Sequence, residues 1–313
     1  MSSSAVRISI VVPALNESPN LVPLYERLTD VLAGVDCEWE LIVVDDGSTD
    51  NSAEVLNELH SRDARVRALV FTRNFGQDAA ITAGLQAATG DAVIVMDADG
   101  QDPPEVIPAM LARWREGYKI VAGRRIRRIE HAASKRAFAF VFYRVMRAAT
   151  GWDYPLDTGE FRVLDRAVVD VLNACPQRNR LMRTLSSWTG YAHSVVDYTQ
   201  ERRMHGKTKY SFLRSLRLAV TGLTAFSTLP LRIALWLGVF IISMSMVAAL
   251  GLLLRSNPAS LLEWGMLGLL LVSGVQCLLI GIIGEYVGRA MIELQQRPLF
   301  VISKAIGLDS PRQ

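Results

Sequence analysis

Residues 92–105 read AVIVMDADGQDPPE, an apolar run that turns abruptly into acidic and proline-rich sequence. A short β-branched run followed by such a cluster is typical of a buried strand that ends in a polar loop. The loop carries Asp97 and Asp99, and carboxylates of this kind are suited to hold a divalent cation. A second interpretation stays open at this point, in which Asp99 and Asp102 cap a helix that begins at Pro103-Pro104.

The same pattern repeats along the first half of the chain, where further β-branched runs alternate with amphipathic helical segments. This alternation predicts an α/β domain with a mostly parallel sheet covered by helices on both faces. In such sheets the ligand lies beyond the carboxyl ends of the strands. The predicted strands are 8–12, 41–44, 66–71, 92–96 and 119–122, and the predicted helices are 21–32, 53–59, 79–88 and 106–114.

The composition of the 313-residue chain excludes several classes of protein. Its 34 Lys+Arg against 31 Asp+Glu leave a net charge of +3, which disfavours a nucleic-acid partner. Its three cysteines are far apart, and the four histidines have no metal-site spacing, so a disulfide framework and a zinc site are disfavoured. The chain has no GxGxxG and no GxxxxGK[ST] string, which disfavours a Rossmann dinucleotide enzyme and a P-loop NTPase.

Two long uncharged runs, 233–254 and 264–284, stand out in the second half of the chain. Each is long enough, as a helix, to cross a hydrocarbon core of about 30 Å. We therefore predict two transmembrane helices, with a buried hairpin of a soluble domain as the alternative. The N-terminus has no signal-peptide pattern, and basic residues flank the outer ends of both runs. These features place the catalytic domain and both termini in the cytoplasm, in a multi-pass protein of the inner (plasma) membrane.

Basic and aromatic residues are mixed in 210–226 and in 131–149, a pattern typical of helices that lie in a membrane interface. For 131–149 an ordinary amphipathic helix packed on the sheet is an equal alternative. The chain thus divides into four predicted parts: a catalytic domain at 1–165, acceptor-side and membrane-interface helices at 166–229, two transmembrane helices at 230–288, and a cytoplasmic tail at 289–313.

A set of short strings is more specific than any single feature: VVPALNE (11–17), VVDDGSTD (43–50), RNFGQ (73–77), MDADGQDPPE (96–105), DTGEFRV (157–163) and GEYVGR (284–289). Together they resemble family 2 glycosyltransferases. Within that family the chain is similar to the polyisoprenyl-phosphate glycosyltransferases, the group of dolichol-phosphate mannose synthase and the bactoprenol glucosyltransferases. The resemblance implies a GT-A fold, a nucleotide-sugar donor, a polyprenyl phosphate acceptor in the membrane, and inversion at the anomeric carbon.

The resemblance also implies roles for individual residues. Pro13, Glu17 and Asp46, together with Asp97, would bind the nucleotide. Asp97, Asp99 and Gln101 would gather around Mg²⁺ or Mn²⁺ and the diphosphate. Asp157 would act at the reaction centre with Asp99, although a strand-end residue that pairs with Arg162 is the alternative for Asp157.

Basic residues supply the candidates for binding phosphate. Arg124 and Arg125 directly follow the fifth predicted strand, so we expect them to bind the phosphate of the acceptor. Arg203 and Lys207 flank Gly206, and we expect this loop to close over the diphosphate.

The predicted function is transfer of a single sugar, glucose from UDP-glucose, to undecaprenyl phosphate at the cytoplasmic face of the membrane. UDP-aminoarabinose, UDP-galactose, UDP-N-acetylhexosamine and GDP-mannose are the alternative donors. We also expect a homo-oligomer and a separate flippase for the product. A processive polysaccharide synthase is disfavoured because the chain has no QxxRW string and too few spans. A catalytically inactive membrane-anchored binding protein is disfavoured by the intact Asp97, Asp99 and Asp157.

Overall fold

A computed structural model of the chain describes residues 6–127, 158–175, 177, 182–201, 236, 240, 241, 243, 247 and 258–308. The chain forms two compact units. The first contains 1–144, 152–209 and 297–313, and the second contains 145–151 and 210–296. Asp157, Arg203, Lys207, the predicted interface helices and most of the run 233–254 lie outside the described residues.

The first unit is built on one eight-stranded sheet in the order β7-β5-β6-β4-β1-β2-β3-β8. All pairings are parallel except those of β6 with β4 and β5 and that of β8 with β3. The mostly parallel α/β sheet predicted from the sequence is therefore confirmed. The strands are β1 Arg7–Ala14, β2 Glu38–Asp45, β3 Val66–Phe71, β4 Ala92–Val95, β5 Ile120–Arg127, β6 Thr158–Asp165, β7 His193–Thr199 and β8 Ile302–Ile306.

Helices cover both faces of the sheet because successive side chains of a strand point to opposite sides. On β1, Ile8 and Ile10 belong to one buried cluster with Leu24 of α1, whereas Val11 belongs to the other with Ile81 of α3. Within the part of this unit that the structure describes, the helices are α1 Ser18–Ala33, α2 Ser52–Arg62, α3 Gln77–Ala87, α4 Ile107–Arg115, α5 Arg166–Ala174 and α6 Met182–Trp188, and a 3₁₀ turn at Pro104–Val106 leads into α4.

Three strands that the sequence analysis did not predict complete the sheet. β6 and β7 flank β5, and β8 brings a C-terminal segment to the edge beside β3. Phe300, just before β8, stacks on Phe71 with ring centroids 5.0 Å apart, and the Thr72 N–H donates to the Val301 carbonyl at 3.0 Å. The segment 297–308 is thereby joined to the carboxyl end of β3.

The second unit contains one long helix, α7 Pro258–Leu294, which includes the second uncharged run. Over the residues that the structure describes, no helix has both the length and the apolar character needed to cross a membrane. The two predicted spans therefore stay a prediction.

Candidate active site

Polar loops from several strands meet at the carboxyl edge of the sheet. β1, β2, β3, β4, β5 and β7 run in the same direction, so their carboxyl ends share one edge, and the antiparallel β6 begins there. The edge thus collects the segments 14–17, 45–50, 72–77, 97–102 and 158–160. The strand order therefore brings these polar segments to one edge of the sheet.

The loops after β1 and β2 are tied to each other by side chain to backbone hydrogen bonds. Asn16 has a φ of 55°, and its Oδ1 accepts from the Thr49 N–H at 2.8 Å, while the Asn16 N–H donates to Ser48 Oγ at 2.8 Å. Asparagine tolerates this left-handed conformation better than most residues. Glu17 lies next to Asn16 and accepts from the Asn20 side-chain amide at 2.5 Å. The half-buried Pro13 and Glu17 are therefore held at the same edge.

Asp46 is buried and fixes the loop after β3. Its carboxylate accepts from the N–H groups of Phe75 at 2.7 Å and Gly76 at 3.0 Å. Burial raises the pKa of Asp46, with a further contribution from the Asp45 charge, and these two hydrogen bonds oppose the shift. Gly47 makes the contact between the loops close, because at its φ of +71° a Cβ would lie 2.3 Å from the Arg73 carbonyl carbon. Asp46 is thus the link between the second and third loops.

Asp97 lies just beyond β4 among other carboxylates. Gln77, at the start of α3, donates from its side-chain amide to Asp97 Oδ1 at 2.7 Å. Burial, followed by the charges of Asp102, Asp99 and Glu160, raises the pKa of Asp97 well above its usual range, and Arg125 partly opposes this. Such crowding of like charges is typical of functional sites.

Asp99 and Gln101 complete the predicted metal-binding set. Asp99 is buried, and its Oδ1 accepts from the Gln101 N–H at 3.0 Å. Among the described residues, no three His, Cys, Asp or Glu side chains converge closely enough to hold a metal ion by themselves. The oxygen-rich donor set nevertheless has the chemistry that Mg²⁺ and Mn²⁺ prefer.

The two arginines expected to bind the acceptor phosphate lie in different surroundings. Arg124 is half exposed and forms a two-pronged ion pair with Asp197 of β7, with distances of 2.6 and 2.9 Å. Arg125 is largely buried, and it contacts Asp102 and Tyr198 behind Asp97. Neighbours on a strand point to opposite faces, so only one of the pair is directed toward these carboxylates.

The motif that contains Asp157 is described from Thr158 onward. Arg162 of β6 is buried, and it donates to Ser186 Oγ at 2.7 Å and to the Gly159 carbonyl at 2.7 Å. Its carboxylate neighbour is Glu160, at 3.7 Å. The role predicted for Asp157 stays a prediction because that residue lies outside the described part of the chain.

The structure adds four residues that the sequence analysis did not assign to the site: Asn16, Gln77, Asp102 and Tyr198. Asn16 and Gln77 fall within the strings that carry the family resemblance, so their spacing was a usable signal. Tyr198 follows no motif, and only the pairing of β5 with β7 brings it to Asp102.

Comparisons with known proteins agree with this architecture. The profile "Glycosyl transferase family 2" matches residues 9–172. The uncharacterized glycosyltransferase YkcC of Bacillus subtilis is 39% identical over 99% of this chain and 97% of its own length. The SfII prophage-derived bactoprenol glucosyl transferase of Shigella flexneri is 35% identical over 96% of this chain and 98% of its own length.

Solved structures that resemble the chain include glucosyl-3-phosphoglycerate synthase from Mycobacterium tuberculosis in complex with UDP. That structure matches 70% of this chain and 79% of its own with a TM-score of 0.47 and 19% identity. The profile covers more than half of the present chain, and the sequence relatives match nearly all of it. The chain therefore belongs to glycosyl transferase family 2 and is a glycosyltransferase.

Proposed function

We propose that this glycosyltransferase transfers one glucose from UDP-glucose to undecaprenyl phosphate, with inversion, at the cytoplasmic face of the membrane. The observation that carries the proposal is that the loop with Asp97, Asp99 and Asp102 follows β4 at the carboxyl edge of the sheet, where Arg125 pairs with Asp102 at 3.1 Å. Two relatives, 35% and 34% identical over 96% of this chain, are named bactoprenol glucosyl transferase and its homologue. Their names support both the lipid class and the sugar.

A divalent cation, Mg²⁺ or Mn²⁺, fits the donor chemistry of this edge. Asp97, Asp99 and Gln101 would hold it, and Mg²⁺ commonly binds through one or two carboxylates together with substrate phosphates. The buried Asp102 Oδ2 has no hydrogen-bond partner among the described residues, so one carboxylate oxygen at this edge is left unsatisfied. Bound there, the cation would stabilise the charge that develops on the leaving nucleoside diphosphate.

The nucleoside would lie against the loops after β1 and β2. Pro13 and Glu17 are half-buried there, and Asp46 holds the third loop against the second. These hydrogen bonds fix the loops before the donor arrives, so little ordering entropy is lost on binding. Arg203 and Lys207 would then close over the diphosphate.

The acceptor phosphate needs little help to become a nucleophile. Its second pKa is about 6, so near neutral pH it is largely deprotonated. Asp157 would accordingly position the acceptor or the metal, or take a residual proton, in concert with Asp99. Arg125 would bind the phosphate among the carboxylates, and Arg124 would assist from the more exposed side of β5.

The lipid acceptor requires access to a membrane. We propose that 233–254 and 264–284 cross the inner membrane, with the catalytic unit and both termini in the cytoplasm, and that the chain forms homo-oligomers. A separate flippase would move the product. Membrane fractionation followed by protease treatment of sealed right-side-out vesicles tests this topology. Both termini should be protected, and cleavage of either terminus by protease added outside these vesicles would overturn the proposal.

Release of UDP by detergent-purified protein is the direct test of the activity. The assay contains Mg²⁺ or Mn²⁺ and one donor of a panel of UDP- and GDP-sugars, with or without undecaprenyl phosphate. We expect release from UDP-glucose that requires the lipid and the metal, and formation of a glucosylated lipid with inverted configuration. Asp99→Asn should abolish release.

Asp170→Asn is the matched control for that variant. Asp170 is an exposed carboxylate on α5 that lies 3.7 Å from Arg166, and its loss should leave turnover unchanged. Lipid-dependent release from a different donor would support the proposed transferase activity but show that the sugar is not glucose from UDP-glucose. Binding of UDP without lipid-dependent release from any donor would contradict the proposal and favour an inactive binding protein.

A further inference from the structure

A buried network lies behind the candidate metal-binding carboxylates. We call it the Arg125 anchor, and it consists of Arg125 on β5, Tyr198 on β7 and Asp102 in the loop after β4. The Tyr198 hydroxyl donates to Asp102 Oδ1, and Arg125 Nη2 donates to the same oxygen at 3.1 Å. Arg125 Nε donates to the Tyr198 oxygen at 2.9 Å. The hydroxyl thus serves as donor and acceptor at once, which closes the network.

Packing leaves the anchor little room to rearrange. Tyr198 is 3% exposed, Asp102 is 0% exposed, and the Tyr198 ring meets Phe161 edge to face with centroids 5.6 Å apart. Two glycines make the space: a Cβ at Gly123 would lie 2.8 Å from the Tyr198 ring, and a Cβ at Gly159 would lie 2.9 Å from Arg125 Nη2. The guanidinium is therefore held between β6 and β7 in one orientation.

Stability does not account for such an arrangement. A buried ion pair loses so much hydration that an apolar replacement of similar size is often as stable. Here the cost is larger, because Asp102 Oδ2 is also buried and has no hydrogen-bond partner among the described residues. A network of this kind is better explained by what it orients, since it fixes the Nε and Nη2 edge of the guanidinium.

The orientation places the Arg125 guanidinium 3.1 Å from Asp102, in the same loop as Asp97 and Asp99. The neighbouring Arg124 differs in each of these respects, since it is half exposed and pairs with Asp197 at the surface. The two arginines are therefore not equivalent candidates for binding a phosphate. Arg125 is preorganised by buried partners, whereas Arg124 exchanges its partner with water.

We propose that Asp102 and Tyr198 are positioning residues, which hold the Arg125 guanidinium in the orientation that binds the phosphate of the lipid acceptor. This inference rests on the proposed function. It assigns a purpose to Tyr198, which no sequence motif contains, and to Asp102, which neither caps a helix nor completes a three-residue metal group among the described residues. Neither residue needs to touch the substrate.

Tyr198→Phe is the main test, because it removes only the hydroxyl and keeps the ring against Phe161. We expect the KM for undecaprenyl phosphate to rise roughly ten- to hundredfold, the range for loss of a hydrogen bond to a charged group. The KM for UDP-glucose and the affinity for UDP should change by less than about twofold, since both report on the donor loops. Asp197→Asn, which breaks the exposed Arg124 pair on the same strand, is the matched control and should raise the acceptor KM far less.

A double-mutant cycle separates positioning from a general structural role. If Tyr198 acts through Arg125, Tyr198→Phe should have no further effect on the acceptor KM in an Arg125→Ala background. Should Tyr198→Phe fold poorly, Gly159→Ala displaces Arg125 Nη2 without removing a buried polar group, and it should raise the same KM. Thermal melting checks the fold of each variant.

The outcomes distinguish this inference from the proposed function. In one outcome, the wild type shows lipid-dependent UDP release while the acceptor KM is unchanged in both Tyr198→Phe and Gly159→Ala. That result would overturn the positioning role of the Arg125 anchor and leave the proposed activity intact. Additive effects of Tyr198→Phe and Arg125→Ala would overturn it as well. Absence of lipid-dependent release by the wild type would instead remove the proposed function on which the anchor rests.

Discussion

The two ends of the sheet bury their carboxylates in opposite ways. At the amino end, Glu40 on β2 accepts from the Ser9 hydroxyl at 2.5 Å and from the Thr89 N–H at 2.9 Å, and it pairs with Arg67 at 2.9 Å. Burial alone would raise the pKa of Glu40, but these donors and the Arg67 charge lower it. At the carboxyl end, burial and neighbouring carboxylates raise the pKa of Asp97.

The difference separates structural acids from functional ones. A buried carboxylate surrounded by donors is compensated by the fold itself, so it stabilises the fold and needs no ligand. A carboxylate surrounded by other carboxylates tends to hold a proton, and it keeps its negative charge only where a bound cation or substrate offsets that charge. The amino end therefore supports the sheet, and the carboxyl end is where we propose that the chemistry takes place.

Asp97→Asn should have the largest effect on activity and almost none on stability. Turnover should fall by roughly 10²–10³-fold, the range for losing one electrostatic stabiliser of a transition state. The melting temperature should stay the same or rise, because one of several crowded carboxylates becomes neutral. Turnover assays and thermal melts of the purified protein check both parts. A loss of stability with full turnover per folded molecule would show that Asp97 stabilises the fold and does not serve the activity.

Glu40→Ala should do the opposite. It leaves the Ser9 hydroxyl and the Thr89 N–H without their acceptor and Arg67 without its counter-charge, and we expect a loss of about 3 kcal/mol in the free energy of unfolding. Turnover per folded molecule should stay within about twofold of the wild type. Urea titration in detergent measures the loss. Glu38→Ala, which breaks the exposed Arg7–Glu38 pair, should change the free energy by less than about 0.5 kcal/mol.

Two glycine substitutions compare how tightly the backbone is packed at the carboxyl end and at the amino end of the sheet. Gly47→Ala places a Cβ against the Arg73 backbone at a φ of +71°, so we expect a loss of about 2 kcal/mol or more and weaker UDP binding. Gly117, before β5, has a φ of +102°, and no heavy atom lies within 4 Å of the position that a Cβ would take there. Gly117→Ala should cost only about 1 kcal/mol and leave UDP binding, measured by calorimetry, unchanged.

Acid sensitivity gives the smallest effect. Hydrogen bonds from Arg65, at the amino end, lower the pKa of Asp63 from its usual 3.8 to about 2. The folded state therefore releases this proton more readily than the unfolded chain, and the stabilisation is present above about pH 4 and lost as pH falls toward 2. Since Arg65 is half exposed, water screens the pair, and we expect about 1 kcal/mol.

Asp63→Asn should remove this part of the acid dependence, as measured by urea titrations between pH 5 and the lowest pH at which the protein stays soluble. Asp46, at the carboxyl end, makes stability depend on pH in the opposite direction. Its raised pKa means that the folded state holds the proton more tightly, so its contribution to stability declines as pH rises through that pKa. Equal slopes for Asp63→Asn and the wild type would contradict the assignment to Asp63.

Much of the parallel part of the sheet was predictable from the sequence. β3 was expected at 66–71 and is observed at Val66–Phe71, because its β-branched run is bounded by polar loops. β6 was missed because it carries Glu160, Arg162 and Asp165 within eight residues. The partners of Arg162 and Asp165 include distant residues such as Ser186 and Trp114, which a local pattern does not contain.

The residues of the candidate site also divide into those that the sequence indicated and those that it did not. Asp46, Asp97 and Asp99 stand in contiguous motifs, so their residue types and spacing were enough to indicate a site from the sequence alone. Asp102 lies in the same motif, and the alternative interpretation gave Asp99 and Asp102 as helix caps, but the 3₁₀ turn at Pro104–Val106 has no side-chain cap. Its true partner, Tyr198, is 96 residues away, and only the strand order brings the two together.

β8 has a consequence for how the protein is made. The strand lies at the edge of the catalytic sheet, yet all of 200–301 is synthesised between β7 and β8. During translation, the other seven strands leave the ribosome first, and the edge of β3 stays uncovered until residues 302–306 emerge. Phe71 gains its Phe300 contact only then. The edge of the sheet at β3 is consequently completed last, after the long helix of the second unit has been synthesised.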